Sequence, residues 1–140
     1  MKESDRAKFE LIGHTADVAV KSYGKDLNEI FANAALGMFN VMTDTSTVER
    51  VGEYKVEVES ADLESLMVDW LSELLYLFDT QEVFLSGFDL DIEDHKLKAS
   101  VRGEKLDRER HPLKSDVKAA TYHMLEINEE EGFAIVLLDI

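Results

Sequence analysis

Two aspartates near opposite ends of the chain are the residues best suited to bind a metal ion. Asp17 lies in GHTADVAV (13–20), and Asp139 follows the apolar run of VLLDI (136–140). Only Ile140 comes after Asp139, and its carboxylate would add a second group of negative oxygens. Hard cations such as Ca²⁺ bind about six to eight oxygens, several of them from carboxylates. If the last strand pairs with the first, these oxygens converge in a site that suits Ca²⁺, or Mg²⁺ or Mn²⁺ with more bound water.

The same residues also fit a simpler interpretation. Asp139 would then be the polar end of a strand, and Asp17 a turn or cap residue, as aspartates often are. Spacing alone favours this simpler interpretation, because it does not show that the two segments meet.

Other side chains offer less chemistry. The chain has no cysteine, which excludes disulfides, thiolate metal sites and cysteine nucleophiles. Asp89, Asp91 and Glu93 resemble the start of a calcium loop, but Asp94 and Ser100 occupy the positions that require Gly and Glu. They are better interpreted as the acidic outer face of a strand. The sequence contains no GxSxG nucleophile motif, no P-loop and no GxGxxG dinucleotide-binding motif. It therefore does not favour an enzyme.

Histidines do not form a zinc motif either, because no two of the four are close in the sequence. His95 precedes a predicted strand, and His111 stands beside Pro112 in a predicted loop. Both histidines are therefore expected at the surface.

Charge restricts the partners. The formal net charge is −15, which repels nucleic acids and anionic membranes. Residues 96–118 nevertheless contain eight of the fifteen basic residues against four acidic ones, a local charge of +4. This segment is either a docking surface of mixed sign or ordinary interspersed surface charge.

Two amphipathic helices are predicted over 25–42 and 62–79, where apolar residues recur every three or four positions. Asp26, with Glu29 three residues later, and Asp62 are the expected N-caps. Both apolar stripes are expected to face the core.

Alternating segments at 54–60, 88–94 and 95–103 predict strands with one exposed face. The segment 116–127 is ambiguous between helix and strand, but its β-branched and aromatic content, and the NEEEG turn (128–132) before 133–140, favour a terminal hairpin. The continuous apolar run in the last strand predicts a central position, buried on both faces. The expected fold is α+β: two helices packed on one side of a mixed, mainly antiparallel sheet, in two layers.

Residues 1–140 are expected to form one domain. The sequence has only one proline and no Gly/Ser-rich linker, so nothing in it indicates a domain boundary. The longest apolar run has six residues and the N-terminus is polar, so we predict a cytoplasmic protein without a membrane span or signal peptide.

Five segments in order resemble the archease family over essentially the whole chain. They are HTAD (14–17), NAALGMFNVMTD (33–44), DLESLMVDWLSELLYLFDT (62–80), VKAATYHMLEI (117–127) and the terminal DI (139–140). One position departs from the family pattern, since Ala19 stands where the family usually has glycine.

The resemblance implies an α+β archease-like domain that activates the RtcB-type RNA ligase of tRNA splicing without itself catalysing a reaction. Such an activator would promote guanylylation of the ligase, sustain multiple turnover and broaden its nucleotide use, with tRNA contacted only through the ligase. Asp17, Asp139 and Ile140 would bind the metal, with calcium expected. Lys118 matches a position implicated in activation, whereas His14 shares the motif of Asp17 without a defined role. The alternative is a general protein chaperone or modulator of nucleic-acid-processing enzymes.

Overall fold

A computed structural model describes residues 7–13 and 16–140. The chain order of its elements, each given with its bounds, is β1 Phe9–Gly13, β2 Asp17–Tyr23, α1 Leu27–Met42, a 3-10 turn at Thr45–Thr47, β3 Gly52–Glu59, α2 Leu63–Gln81, β4 Val83–Glu93, β5 Lys96–Lys105, β6 Ala119–Asn128 and β7 Phe133–Asp139. No helix of these described residues is long and apolar enough to cross a membrane.

The strands form two sheets. Sheet A has the order β1-β2-β7-β6 and sheet B the order β3-β5-β4. Every pairing among the described strands is antiparallel. The predicted α+β class, with two helices packed on mainly antiparallel strands, is confirmed; the division into two sheets was not predicted. Strand patterns specify which face is buried, but they do not specify how many sheets share the core.

Both helices begin at the predicted caps. The Asp26 carboxylate accepts a hydrogen bond from the Glu29 N–H at 2.9 Å, and the Asp62 carboxylate accepts one from Ser65 at 2.7 Å. These bonds satisfy donors that have no partner inside a helix. The hydrogen bonds from Ser65 also lower the pKa of Asp62. The Glu29 carboxylate accepts from the N–H of Lys25, one residue before the position of a standard capping box.

Each helix contacts both sheets, so one continuous core joins all the layers. Trp70 of α2 is fully buried and donates its indole N–H to the Phe31 carbonyl of α1 at 3.0 Å. This bond lets a large aromatic side chain fill the core without leaving its polar atom unpaired.

The terminal hairpin is confirmed, and β7 lies centrally in its sheet as predicted. The prediction that β7 is buried on both faces is wrong. Ala134, Val136 and Leu138 are fully buried under the helices, whereas the alternating residues Ile135 and Leu137 are only partly buried. An antiparallel sheet with helices on one face leaves its other face open, whatever the apolar content of that face.

Three basic residues of β5, Lys96, Lys98 and Arg102, lie on the exposed face of sheet B, between two acidic strands. Lys96 pairs with Glu59 at 3.6 Å, and Lys98 pairs with Glu57 at 3.8 Å. These exposed ion pairs add little to stability. They show interspersed surface charge over this part of the basic segment.

Residues 106–118 carry the chain from sheet B back to sheet A, along the end of α1. The N–H groups of Lys114 and Ser115 donate to the carbonyls of Met42 and Val41 at 3.0 and 3.1 Å. Carbonyls at a helix C-terminus have no partner within the helix, so these bonds attach the connection firmly to α1. The connection ends at Lys118, immediately before β6.

Candidate metal centre

The β2–β7 ladder places Asp17 directly opposite Asp139. Its register is set by apolar residues, because Val20 pairs with Val136 on the buried face of the sheet. A slip of either strand by one residue would turn its buried valine outward and its aspartate toward the core. Burial of the valines therefore keeps the carboxylates facing each other.

The two aspartates occupy a non-hydrogen-bonded pair, in which cross-strand side chains are closest. Main-chain bonds link Ile140 to Ala16 and Gly24 to Gly132, at the two ends of the ladder. Hydrogen-bonded pairs alternate along an antiparallel ladder, so the Asp17–Asp139 pair falls between two of them. Its Cα atoms are expected about 4.5 Å apart, with both side chains on the same face.

One oxygen of this pair is buried, with no hydrogen-bond partner among the described residues. The Oδ1 atom of Asp17 is inaccessible to solvent and accepts no hydrogen bond from any described residue. A buried acceptor without a donor is costly, and like charges directly opposite each other in a sheet repel. A divalent cation between the carboxylates would relieve both costs, so these residues fit a metal ion.

The main chains of Ile140 and Lys118 lie beside Asp17 and Asp139, and we call these four residues the corner. The N–H of Ile140 donates to Ala16 at 3.3 Å, and the N–H of Lys118 donates to the carbonyl of Asp139 at 2.7 Å. The side chain of Lys118 is exposed and makes no hydrogen bond or ion pair within the described ranges. The structure thus brings Asp17, Asp139, Ile140 and Lys118 together, while His14 lies outside the described residues.

Comparison with known proteins decides the family. A model of the Archease protein family matches residues 9–140. The protein archease of Methanosarcina mazei is 44% identical over 98% of this chain and 99% of its own length. The protein archease of Methanothermobacter thermautotrophicus is 45% identical over 94% of this chain and 98% of its own length. The chain belongs to the archease family.

A solved structure extends the likeness to the fold. The match to the solution structure of Methanobacterium thermoautotrophicum protein 1598 covers 95% of this chain and 99% of that protein's chain, with 41% sequence identity and a TM-score of 0.78. The predicted archease resemblance is therefore confirmed at the level of family and of fold.

The side chains at this corner of the archease-family fold form a pair, not a closed cage. Within 7–13 and 16–140, no group of three or more His, Cys, Asp or Glu side chains is placed to hold a metal ion. Two carboxylates leave coordination positions for main-chain oxygens, water or a donor from another molecule. Mg²⁺ commonly binds through one or two carboxylates plus water, and Ca²⁺ through more oxygens, so the pair fits either ion.

The acidic residues that resemble a calcium loop lie elsewhere. Asp89, Asp91 and Glu93 alternate along β4 with their side chains exposed, opposite Ser100, Lys98 and Lys96 of β5. The prediction that they form the acidic outer face of a strand is confirmed.

One histidine differs from its prediction. His111 was expected at the surface but is 1% exposed, with its ring edge against Phe84. Its Nδ1 atom accepts a hydrogen bond from the Asp107 N–H at 2.9 Å, and its Nε2 atom lies 3.3 Å from a Glu104 oxygen. Burial lowers the pKa of His111, Arg110 lowers it further, and Asp107 opposes the shift. The neighbouring proline correctly indicated a loop, but no local pattern indicated that this loop folds inward.

Proposed function

We propose that the protein is a non-catalytic activator of an RtcB-type RNA ligase, acting through a divalent metal held by Asp17, Asp139 and Ile140. The observation that carries this proposal is the facing carboxylate pair in a chain of the archease family. One buried oxygen of this pair has no hydrogen-bond partner among the described residues. Calcium is the proposed ion, with magnesium or manganese as substitutes, and the site of action is proposed to be cytoplasmic.

The corner is suited to work together with a second protein. A bound ion would supply positive charge that stabilises nucleotide phosphate during guanylylation of the ligase. Asp17 and Asp139 would hold that ion, and the partner would supply further ligands. The main chain of Lys118 lies beside Asp139, and its side chain is exposed. The ammonium group would contact phosphate or carboxylate as a point charge.

Net charge supports contact with RNA through the ligase. At −15, the protein repels an RNA backbone but is attracted to the basic cleft expected of an RNA-binding enzyme. This attraction speeds the encounter and weakens with added salt.

Single- and multiple-turnover ligation assays test the proposal. Adding the wild-type protein should accelerate guanylylation of the ligase and allow more than one turnover. The Asp17→Asn and Asp139→Asn variants should fold normally and lose the effect. Asp91→Asn is the matched control, because it removes one carboxylate from the exposed face of β4, in the other sheet.

Activation that survives both corner substitutions would contradict the metal role. If the corner variants still activate the ligase and also suppress aggregation of unrelated proteins, the alternative of a general chaperone is favoured. Failure of the wild-type protein to affect the ligase would contradict the proposed activation itself.

A further inference from the structure

Residues 107–113, which we call the flap, are attached to the rest of the molecule on both sides. On one side the N–H of Leu106 donates to the carbonyl of Glu82 at 2.8 Å, and on the other the N–H of Lys114 donates to the carbonyl of Met42 at 3.0 Å. The flap between these two bonds belongs to no helix or strand. A segment of this kind can open while the strands and helices beside it stay folded.

One side chain attaches the flap to the core. His111 is 1% exposed, and its ring edge packs against Phe84 of β4. The structure describes all of 107–113, and every other residue there is partly or largely exposed. Buried residues are usually apolar, whereas an imidazole takes up a proton near neutral pH. The attachment of the flap therefore depends on a group that can become charged.

Two reciprocal hydrogen bonds close the flap around this ring. The N–H of His111 donates to the Asp107 carbonyl at 2.7 Å, and the N–H of Asp107 donates to Nδ1 of the ring at 2.9 Å. Because Nδ1 accepts, the neutral ring carries its proton on Nε2. This buried Nε2 lies 3.3 Å from a Glu104 oxygen but makes no hydrogen bond with any described residue. A buried donor without a partner is costly, so the closed flap is weakened even when the ring is neutral.

Protonation of the ring removes one of the two bonds directly. A protonated imidazole donates from both nitrogens, so the new Nδ1–H would point at the N–H of Asp107, which would lose its acceptor. The positive charge would also lie against Phe84, away from water. Both costs disappear when the ring turns outward into solvent.

The charged groups around the ring come from three segments, and β4 contributes an uncharged aromatic ring. Glu104 of β5 lies beside Nε2, Asp107 and Arg110 belong to the flap, and Glu49 pairs with Arg110 at 3.8 Å. Burial lowers the pKa of His111, Arg110 lowers it further, and Asp107 opposes the shift. The closed flap therefore favours the neutral ring.

We propose that His111 is a proton-operated latch, which keeps the flap closed while its ring is neutral and releases residues 107–113 when the ring is protonated. The main-chain bonds of Leu106 and Lys114 bound the released segment and stay intact. Opening turns the ring into solvent and separates Arg110 from its ion-pair partner Glu104 on β5. This inference depends neither on the metal centre nor on the ligase.

Hydrogen exchange of main-chain amides in the full-length protein, followed by NMR at pH 7.5 and pH 5.5, tests the latch. Each rate is divided by the intrinsic exchange rate at the same pH, so that the result reports the opening equilibrium. A ring in solvent has the ordinary pKa of 6.5, so the open form gains population as the pH falls through that value. Protection of the Asp107 and His111 amides should fall severalfold, with about tenfold as the upper limit for this pH range. Protection of the Leu106 and Lys114 amides should stay within about twofold.

Two histidine variants are matched. His111→Asn supplies a side-chain oxygen that can accept a hydrogen bond but does not titrate, so protection of the flap should no longer depend on pH. His95→Gln removes an exposed histidine and should keep the wild-type response.

Wild-type protection that does not change on acidification would overturn the latch. An equal loss at Leu106 and Lys114 would also overturn it, because the whole domain would then be opening, and so would a wild-type pH response in His111→Asn. If His111→Asn does not fold, NMR titration of the wild-type ring decides. A pKa at or above 6.5 would overturn the latch, and a pKa below 6.5 would support it.

Discussion

Asp17 and Asp139 face each other across the β2–β7 ladder, although they come from opposite ends of the chain. Apolar burial holds them there, because the register that buries Val20 and Val136 also opposes the two carboxylates. The core thus provides the energy that keeps two like charges adjacent. A bound cation would neutralise the pair and reduce the repulsion between the two charges, which would stabilise the folded protein.

Metal binding should therefore stabilise the protein through these two residues. Calcium at one hundred times its dissociation constant would add about 2.7 kcal/mol to the free energy of unfolding. For a domain of this size, that shift raises Tm by about 5–10 °C. Asp17→Asn should abolish the calcium-dependent shift, as measured by calorimetry with calcium and with chelator.

In chelator, the same variant should be as stable as the wild type or more stable by about 0.5 kcal/mol, because one of two facing charges is gone. A calcium shift of wild-type size in Asp17→Asn would show that the ion binds elsewhere.

Two glycines in strands should respond very differently to alanine. A Cβ atom at Gly103 of β5 would lie 1.8 Å from the Phe84 carbonyl oxygen, so the main chain must move to accommodate it. Gly103→Ala should lower the free energy of unfolding by about 3 kcal/mol or more. At Gly13 of β1, no atom of the described residues beyond its chain neighbours lies within 4 Å of the same position, so Gly13→Ala should change stability by less than about 0.5 kcal/mol. Urea titration of both variants measures the contrast, and similar losses would contradict it.

Acidification should destabilise the protein through His111. Its pKa in the folded state lies below the ordinary 6.5, because the ring is buried against Phe84 and close to Arg110. As pH falls through 6.5, the unfolded state binds the proton first, and stability decreases until the pH passes below the folded-state pKa. The negative charge of Asp107 limits this lowering of the pKa without reversing it, and a Glu104 oxygen lies 3.3 Å from the Nε2 atom of the ring.

Free energies of unfolding between pH 7.5 and pH 5 measure this effect. His111→Gln should flatten the profile, and the exposed His95→Gln should keep the wild-type slope. Glu53 does not affect this comparison. Hydrogen bonds from Lys55 and Ser100 lower its pKa from 4.5 to about 2. Its contribution to the free energy of unfolding is therefore lost only as the pH falls below 4.5. Identical slopes for wild type and His111→Gln would exclude this role for His111.

Lys118 should matter for activation and not for metal binding. Its main-chain N–H holds Asp139, but its ammonium group is exposed, so Lys118→Gln removes charge without disturbing the corner. The calcium-dependent rise in Tm should remain, while guanylylation of the ligase should slow about tenfold, the size expected for loss of one charged contact. Arg108→Gln removes an exposed charge from the same connection and should activate normally. An equal loss in both variants would indicate a general effect of charge.

Much of the fold could be predicted locally. The helix caps Asp26 and Asp62 and the apolar stripes that follow them act within a few residues, so the sequence by itself determined both helices. Alternation likewise determined the exposed acidic face of β4, and the turn at 128–132 favoured the terminal hairpin. These features depend on hydrogen bonds and periodicities that short segments already contain.

Only the tertiary structure decided what happens between distant segments. It divided the strands into two sheets, left one face of β7 open and buried His111 against Phe84. It also turned two isolated aspartates into a facing pair, because the partner of each residue in a ladder depends on how the whole core packs. Residue types made Asp17 and Asp139 candidates for a metal site, and long-range burial of apolar residues placed them together.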